Sequence, residues 1–308
     1  TEEGTILKKN NLTDDSEIHN ELINMLYKFG IDNQKLKLIR ESCKNSKYNS
    51  YLIDMNGTGV HQWDLPNDVG NYAYLLENGN LLAAIRTEEA GPSLPAKGGH
   101  LIEYDWEGNV VWEHIDHMQH HDFRRKPNGN TLYVAWNQQT DSNVTKLIPG
   151  GMAGTELDGA IYTDVIREIN SSGEVVWEWD VLKNMDINRF PLDPTVSRRE
   201  YAHANTIATC PNDDVIINWR FNNTMAIIDY QSKEIKWTLN NIDYGQHHDV
   251  QMLENGNILF FANGADVHTH GPETGSQVIE FDPSNAPVAE KLQQLPHCPW
   301  SFTGVTPP

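Results

Sequence analysis

The chain has 308 residues, a formal charge of −20, 38% hydrophobic residues and 21% charged residues. That balance supplies a folded core and excludes a disordered chain. The acidic field argues against binding to a nucleic-acid backbone, and no run approaches the roughly 18 apolar residues of a membrane span.

Residues 1–50 are polar and Lys/Asn-rich, and Leu22, Ile23, Met25 and Leu26 predict one or two short helices. They read as a helical or irregular lead-in, with a loosely ordered tail as the alternative. The first residue is Thr1 rather than Met, which suggests a processed or trimmed N-terminus. The three cysteines, Cys43, Cys210 and Cys298, are widely spaced and form no framework. Sequons at Asn11, Asn56, Asn143, Asn170 and Asn222 are no more than so Asn-rich a chain carries by chance.

From residue 51 a repeat governs the chain. One half is Asn-Gly-Asn before an apolar run: Asn78-Gly79-Asn80, Asn128-Gly129-Asn130 and Asn255-Gly256-Asn257, with a worn copy at Pro211-Asn212-Asp213-Asp214. Asn-Gly between apolar runs predicts a hairpin in which both central residues take positive φ. The other half is Asp or Asn, a turn, a β-branched residue and Trp. It runs through Asp54…Trp63, Asp105…Trp112, Asn170…Trp177 and Asp229…Trp237, and a last copy at Asp282 lacks the Trp. Two hairpins per unit make a four-stranded antiparallel sheet, and units of roughly 45 residues are a β-propeller signature.

The expectation is therefore an all-β propeller over residues 51–308. Its blades fall at about 70–115, 117–180, 201–240 and 245–290. The second is swollen by 138–160 and followed by a Pro-containing loop at 183–200. A closing hairpin at 51–64 and an opening strand near 297–308 would close the ring. The count is six blades, or five if the chain is complete.

Aligned on their Asn-Gly turns, His121 and His248 each lie seven residues before the Asn, and His203 lies nine before Asn212. All three offsets are odd, so in regular strands the side chains share one face. The first strand of a blade lines the channel, so three imidazoles converge near its axis. Asn71 holds the same place in the first blade. His120 and His247 should face the other way. Asp122 and Asp249 could each fix a histidine tautomer, or simply bond backbone. Arg220 and Arg86 share one repeat position and read as anion clamps, with an ion pair as the alternative, above all for Arg86. Asn205 shares the inward face of His203 and could donate to an oxyanion. His268 and His270 sit in a loop that could border the channel mouth.

His121-Asp122, His203-Ala-Asn205, Trp219-Arg220, Gln246-His247-His248-Asp249 and the stretch SYLIDMNGTGVHQWDL together resemble the arylsulfotransferase family over about residues 50–305. The resemblance implies a six-bladed propeller that moves a sulfuryl group between phenols without a nucleotide sulfate donor, through a sulfated histidine. It implies His248 as nucleophile, with His121, His203 and Arg220 binding the sulfuryl oxygens, Asn205 assisting and one His as acid/base. Arg86, His120 and His247 complete the expected substrate-binding set. The partners are an aryl sulfate donor and a phenolic acceptor, no cofactor is called for, and the resemblance suggests a periplasmic or secreted location. The chain is shorter than the best-known bacterial members, with a short lead-in and few cysteines. Two other readings stay open: a propeller holding Cu or Zn on its histidines, and a non-catalytic propeller binding an anionic or sulfated ligand.

Overall fold

A computed structural model describes residues 48–241, 244–264 and 276–284. The lead-in before residue 48, Cys43, Cys298, His268, His270 and the strand expected near the end of the chain lie outside them. The chain divides at Asp68/Val69 into two compact units. In the first, β1 (Asn49–Ile53) and β2 (Gly59–Asp64) form an antiparallel hairpin. Its turn is tied by Asp54 Oδ1, which accepts the N–H groups of Asn56 and Thr58 at 2.8 Å.

The second unit is a β-propeller whose described residues form four antiparallel blades. The first holds β3 (Val69–Leu75), β4 (Leu81–Arg86), β5 (Gly99–Tyr104) and β6 (Val110–Ile115). The second blade runs β7 (Gln119–Arg125), β8 (Thr131–Gln139), β10 (Ile161–Ile169) and β11 (Val175–Asp180), with β9 (Gly150–Met152) in its insertion. The loop after it carries β12 (Leu192–Ser197) and β13 (Glu200–Tyr201). The third blade is β14 (Ala204–Thr209), β15 (Val215–Trp219), β16 (Thr224–Ile228) and β17 (Ile235–Asn240). In the fourth, β18 (His248–Met252), β19 (Ile258–Ala262) and β20 (Gln277–Phe281) are described. The expected count of six, or five, falls partly on residues outside those described.

The repeat now has a physical reading. Asn78, Asn128 and Asn255 each accept, through Oδ1, the N–H of the Asn two residues on. Only the glycines between them take positive φ: 86° at Gly79 and Gly129, 84° at Gly256. Their N–H groups bond the carbonyls of Leu76, Lys126 and Leu253. The hairpins are as expected but the turn is corrected: a four-residue turn ending on a left-handed residue, not a two-residue turn with both centres at positive φ. In the worn copy Asp213 takes the glycine's place at φ 69°.

The repeated Trp joins blades. Trp112 Nε1 donates to Ser171 O at 3.1 Å, and Trp177 Nε1 to Tyr230 O at 2.8 Å. Each is thus a bond from one blade's outer strand to the next blade's outer turn. The inner strands are buried on both faces, so they read as continuous apolar runs such as Leu81–Ile85 and Val215–Ile217. Apolar clusters accordingly fill the gaps between blades: Leu82, Leu101, Phe123 and Tyr133 between the first and second, Trp179, Trp219 and Ile217 between the second and third.

The insertion and the following loop fold on one another. β9 and β12 pair in parallel, and β13 pairs in parallel with β10. Buried Arg198 donates to the carbonyls of Thr145, Ile148 and Gly150 and to Glu156 Oε1. This clasp sets the position of Glu200, two residues on.

Candidate active site

His121 leaves the regular backbone: its φ is 50°, and the β7–β8 register shifts between His120 and Phe123. His203 has φ 55° and stands just before β14, whose register shifts after Ala204. Gln246 and Asp249 flank the third site with φ of 45° and 53°, and β18 has a shift after His248. Left-handed non-glycine residues are strained and gather where a side chain has to be aimed. Odd offsets along regular strands are therefore not what brings these side chains to one place. A bulge in each first strand, rather than plain alternation, directs these side chains.

The imidazoles of His121 and His203 do come together. Their centroids are 4.6 Å apart in an edge-to-face arrangement. His248 stands close enough for Arg220 and His203 to act electrostatically on its ring. Burial, followed by the Arg220 guanidinium and the His203 ring, pushes the half-buried His248 down to about 4, while a backbone contact with Gln246 works against them. His121 falls well below the usual imidazole value, first through burial and then through His203, His120, His248 and Arg220. Both rings are accordingly neutral at pH 7.

Arg220 is not on a strand, as the repeat suggested. It opens the 3₁₀ turn Arg220–Asn222 directly after β15. Its N–H bonds His203 O at 3.2 Å, its guanidinium lies 5.5 Å from the centre of the Phe221 ring, and buried Nε has no hydrogen-bond partner among the described residues. Burial lowers its pKa and Glu200 opposes that. Arg86, by contrast, donates Nε to Glu88 Oε1 at 2.9 Å near the surface, the ion-pair alternative. Asn71 is exposed.

The two doubled histidines sit behind the site. His120 is wholly buried, stacked on Trp136 with centroids 4.3 Å apart. His247 is also wholly buried and its Nδ1 bonds Asn218 Oδ1. Burial takes His247 down to about 3. Neither ring has a face left for substrate, which corrects their place in the substrate-binding set. Asn205 is buried too; its amide donates to His247 O at 3.0 Å and its carbonyl accepts from Asn218 Nδ2 at 2.6 Å. It braces the strands carrying His203 and His248.

The carboxylates beside the histidines were not those expected. Asp122 takes the backbone alternative: it accepts the N–H groups of Phe123 and Ile207 and the hydroxyl of Tyr74. Asp249 is exposed. The acids that touch the rings are Asp164 and Glu200. His203 Nδ1 lies 2.9 Å from Glu200 Oε1, and Glu200 Oε2 accepts Trp136 Nε1 at 3.0 Å. Burial raises the Glu200 carboxyl, but the contacts with His203, His120 and Trp136 outweigh it and leave the group lowered. The sequence signal for Glu200 was thin: an acid three residues before a site histidine. Asp164 gave none, since its strand is an outer one by repeat. Asn263 Nδ2, bonded to Gln246 O at 2.8 Å, lies 3.3 Å from His248 Nδ1.

Among the described residues, no three His, Cys, Asp or Glu side chains are placed to hold a metal ion. The Cu or Zn reading therefore has no supporting ligand group among the described residues. No helix among the described residues is long and apolar enough to cross a membrane.

The family described as Arylsulfotransferase (ASST) matches residues 12–242. No curated protein matches the chain. Similar solved structures include a Bacteroides caccae protein of unknown function, 15% identical over 76% of this chain and 71% of that one, with a TM-score of 0.46. Kuenenia stuttgartiensis hydrazine synthase is 13% identical over 75% and 64%, with a TM-score of 0.47. A streptogramin B lyase is 11% identical over 75% and 60%, with a TM-score of 0.41. The chain thus spans less than two thirds of the synthase and of the lyase.

Proposed function

We propose, from the premise that this chain belongs to the arylsulfotransferase family, that it carries a sulfuryl group from an aryl sulfate to a phenolic acceptor on the imidazole of His248. The observation that carries the reading is Arg220. Its buried Nε has no hydrogen-bond partner among the described residues, and the positive charge acts on two neutral histidines. A guanidinium with an unused N–H beside neutral imidazoles is a place for an anion rather than a cation.

Neutral His248 attacks sulfur while the S–O bond to the aryloxide breaks. Arg220 bears the charge on the sulfuryl oxygens, and His203, oriented by Glu200, is the second donor to them. His121 gives the departing aryloxide a proton and takes one back from the acceptor phenol when the sulfuryl group moves on. Asn205 and His247 keep the strands of His203 and His248 in register. Family members of this kind act on small molecules, and a periplasmic or secreted location accords with that membership.

The test is transfer from p-nitrophenyl sulfate to a phenol. The expected outcome is nitrophenol release that depends on the acceptor and is lost in His248→Ala. Sulfate-competitive binding of the donor with no turnover would favour the non-catalytic alternative.

A further inference from the structure

His120 Nδ1 lies 2.8 Å from His121 Nδ1. Two imidazole nitrogens at that distance share one proton: one donates and the other accepts. On the far side of His120, Nε2 lies 3.3 Å from Asp164 Oδ1. That contact is a close approach without hydrogen-bond geometry, and neither atom has a hydrogen-bond partner among the described residues, so a small turn of the buried ring is what joins them. Asp164 Oδ2 is held by the N–H of Ala204 at 2.6 Å, and Trp136 clamps the His120 ring from its face. The residues are 1%, 0% and 7% exposed in the order Asp164, His120, His121, so water does not reach the inner members. With Nδ1 of His121 taken by His120, Nε2 is the one ring nitrogen it can offer a substrate.

We propose that Asp164, His120 and His121 form a proton relay that switches His121 Nε2 between acid and base in the two halves of sulfuryl transfer. The inference rests on the sulfotransfer reading above and adds two positioning residues to it. In the resting chain the proton is on Asp164, His120 carries Nδ1–H and His121 carries Nε2–H. When the His248–sulfur bond forms and the aryloxide leaves, the aryloxide takes the His121 Nε2 proton. His121 Nδ1 then takes the proton of His120 Nδ1, and His120 Nε2 takes the proton of Asp164, which becomes a carboxylate. The acceptor phenol reverses each step as its oxygen bonds sulfur and the His248–sulfur bond breaks. No proton is exchanged with solvent and no imidazolium is needed on either relay ring. Burial raises the Asp164 carboxyl, though His120 and the Ala204 N–H oppose it, which accords with a protonated resting state.

The test compares leaving groups in wild type and Asp164→Asn, a change that keeps an oxygen for Ala204 N–H. Phenyl sulfate, which releases a phenol of pKa about 10, needs the acid; p-nitrophenyl sulfate, with a far more acidic phenol, needs it little. In single turnovers without acceptor, which read only aryloxide release, Asp164→Asn should slow release from phenyl sulfate about 10²-fold, the lower end of what a positioned acid contributes, and slow release from p-nitrophenyl sulfate by less than about threefold. An equal fall on both donors, or no fall on either, overturns the relay. Wild type that transfers from neither donor overturns instead the sulfotransfer reading beneath it. Should Asp164→Asn fail to fold, ¹⁵N NMR of wild-type histidine decides. His121 should pass from Nε2–H to Nδ1–H when His248 is sulfated, and an unchanged tautomer overturns the relay.

Discussion

His203 Nδ1 lies 2.9 Å from Glu200 Oε1, which places a carboxylate from the clasp after the second blade directly on the third blade's histidine. Glu200 is wholly buried and its other oxygen is taken by Trp136, so the contact orients the ring rather than decorating it. Glu200→Gln keeps an acceptor for the Trp136 N–H but loses the charge opposite His203. Transfer from p-nitrophenyl sulfate should fall about 10²-fold, as expected when a positioned donor is lost, with thermal unfolding shifted only slightly. Full activity in this variant would remove Glu200 from the account.

Arg220 and Arg86 share a repeat position but not an environment. Arg220→Lys and Arg220→Ala should both cost about 10²–10³ in turnover, the range for a donor to developing charge, because an ammonium cannot reproduce the fork. Arg86→Ala removes an exposed pair with Glu88 and should leave turnover within twofold. Steady-state kinetics of the three variants checks both statements, and equal effects at the two positions would contradict them.

The pH profile separates a buried nucleophile from an ordinary one. His248 is held down to about 4, so at pH 5 about nine tenths of it is neutral, against a few per cent for an unshifted imidazole. Single-turnover sulfuryl uptake at pH 5.5 should be within about twofold of that at pH 7, while a tenfold loss would contradict the assignment. Stability follows with the opposite convenience. His121, His247 and His248 all have lowered folded values. Below 6.5 the unfolded chain therefore takes up protons that the folded chain refuses, and these groups lower stability as pH falls from 6.5 towards 4. Asp122 and Asp164, raised by burial, act in the other direction. His247→Gln should flatten the fall seen in denaturant titrations.

Trp177 tests the joint between blades. Its Nε1 bond to Tyr230 O is lost in Trp177→Phe while much of the stacking on Tyr230, at 5.2 Å, survives. The cost should be about 1 kcal/mol for the bond, with some further loss of packing, read from denaturant midpoints.

The blades were legible because their turns are written locally. Asn-Gly-Asn and Asp-turn-Trp each fix a few consecutive residues, and the strand runs between them are apolar enough to be found. His121, His203 and His248 were legible for the same reason, as they keep a constant place before those turns. The way they are aimed was not. Bulges at His121 and His203 depend on tertiary contacts such as His121 N–H to Ala96 O. The supporting acids were hidden for a stronger reason. Glu200 is only three residues from His203, but the backbone that turns it onto the ring follows Arg198, which gathers the 138–160 insertion; Asp164 is far from His120 in sequence and reaches it across the blade opposite Trp136. Parity counting likewise put Asn205 at the substrate, whereas the His247 carbonyl, the Asn218 amide and the Thr206 hydroxyl hold it behind the site.

The central claim is that His248 bears the sulfuryl group. Brief mixing with p-nitrophenyl sulfate in the absence of acceptor, alkaline quench and peptide mass spectrometry tests it directly. The account predicts one added SO₃ on the peptide containing His248, formed as nitrophenol is released and removed when a phenol is added. Turnover with no such adduct, or the adduct on His121 or His203 instead, would contradict it.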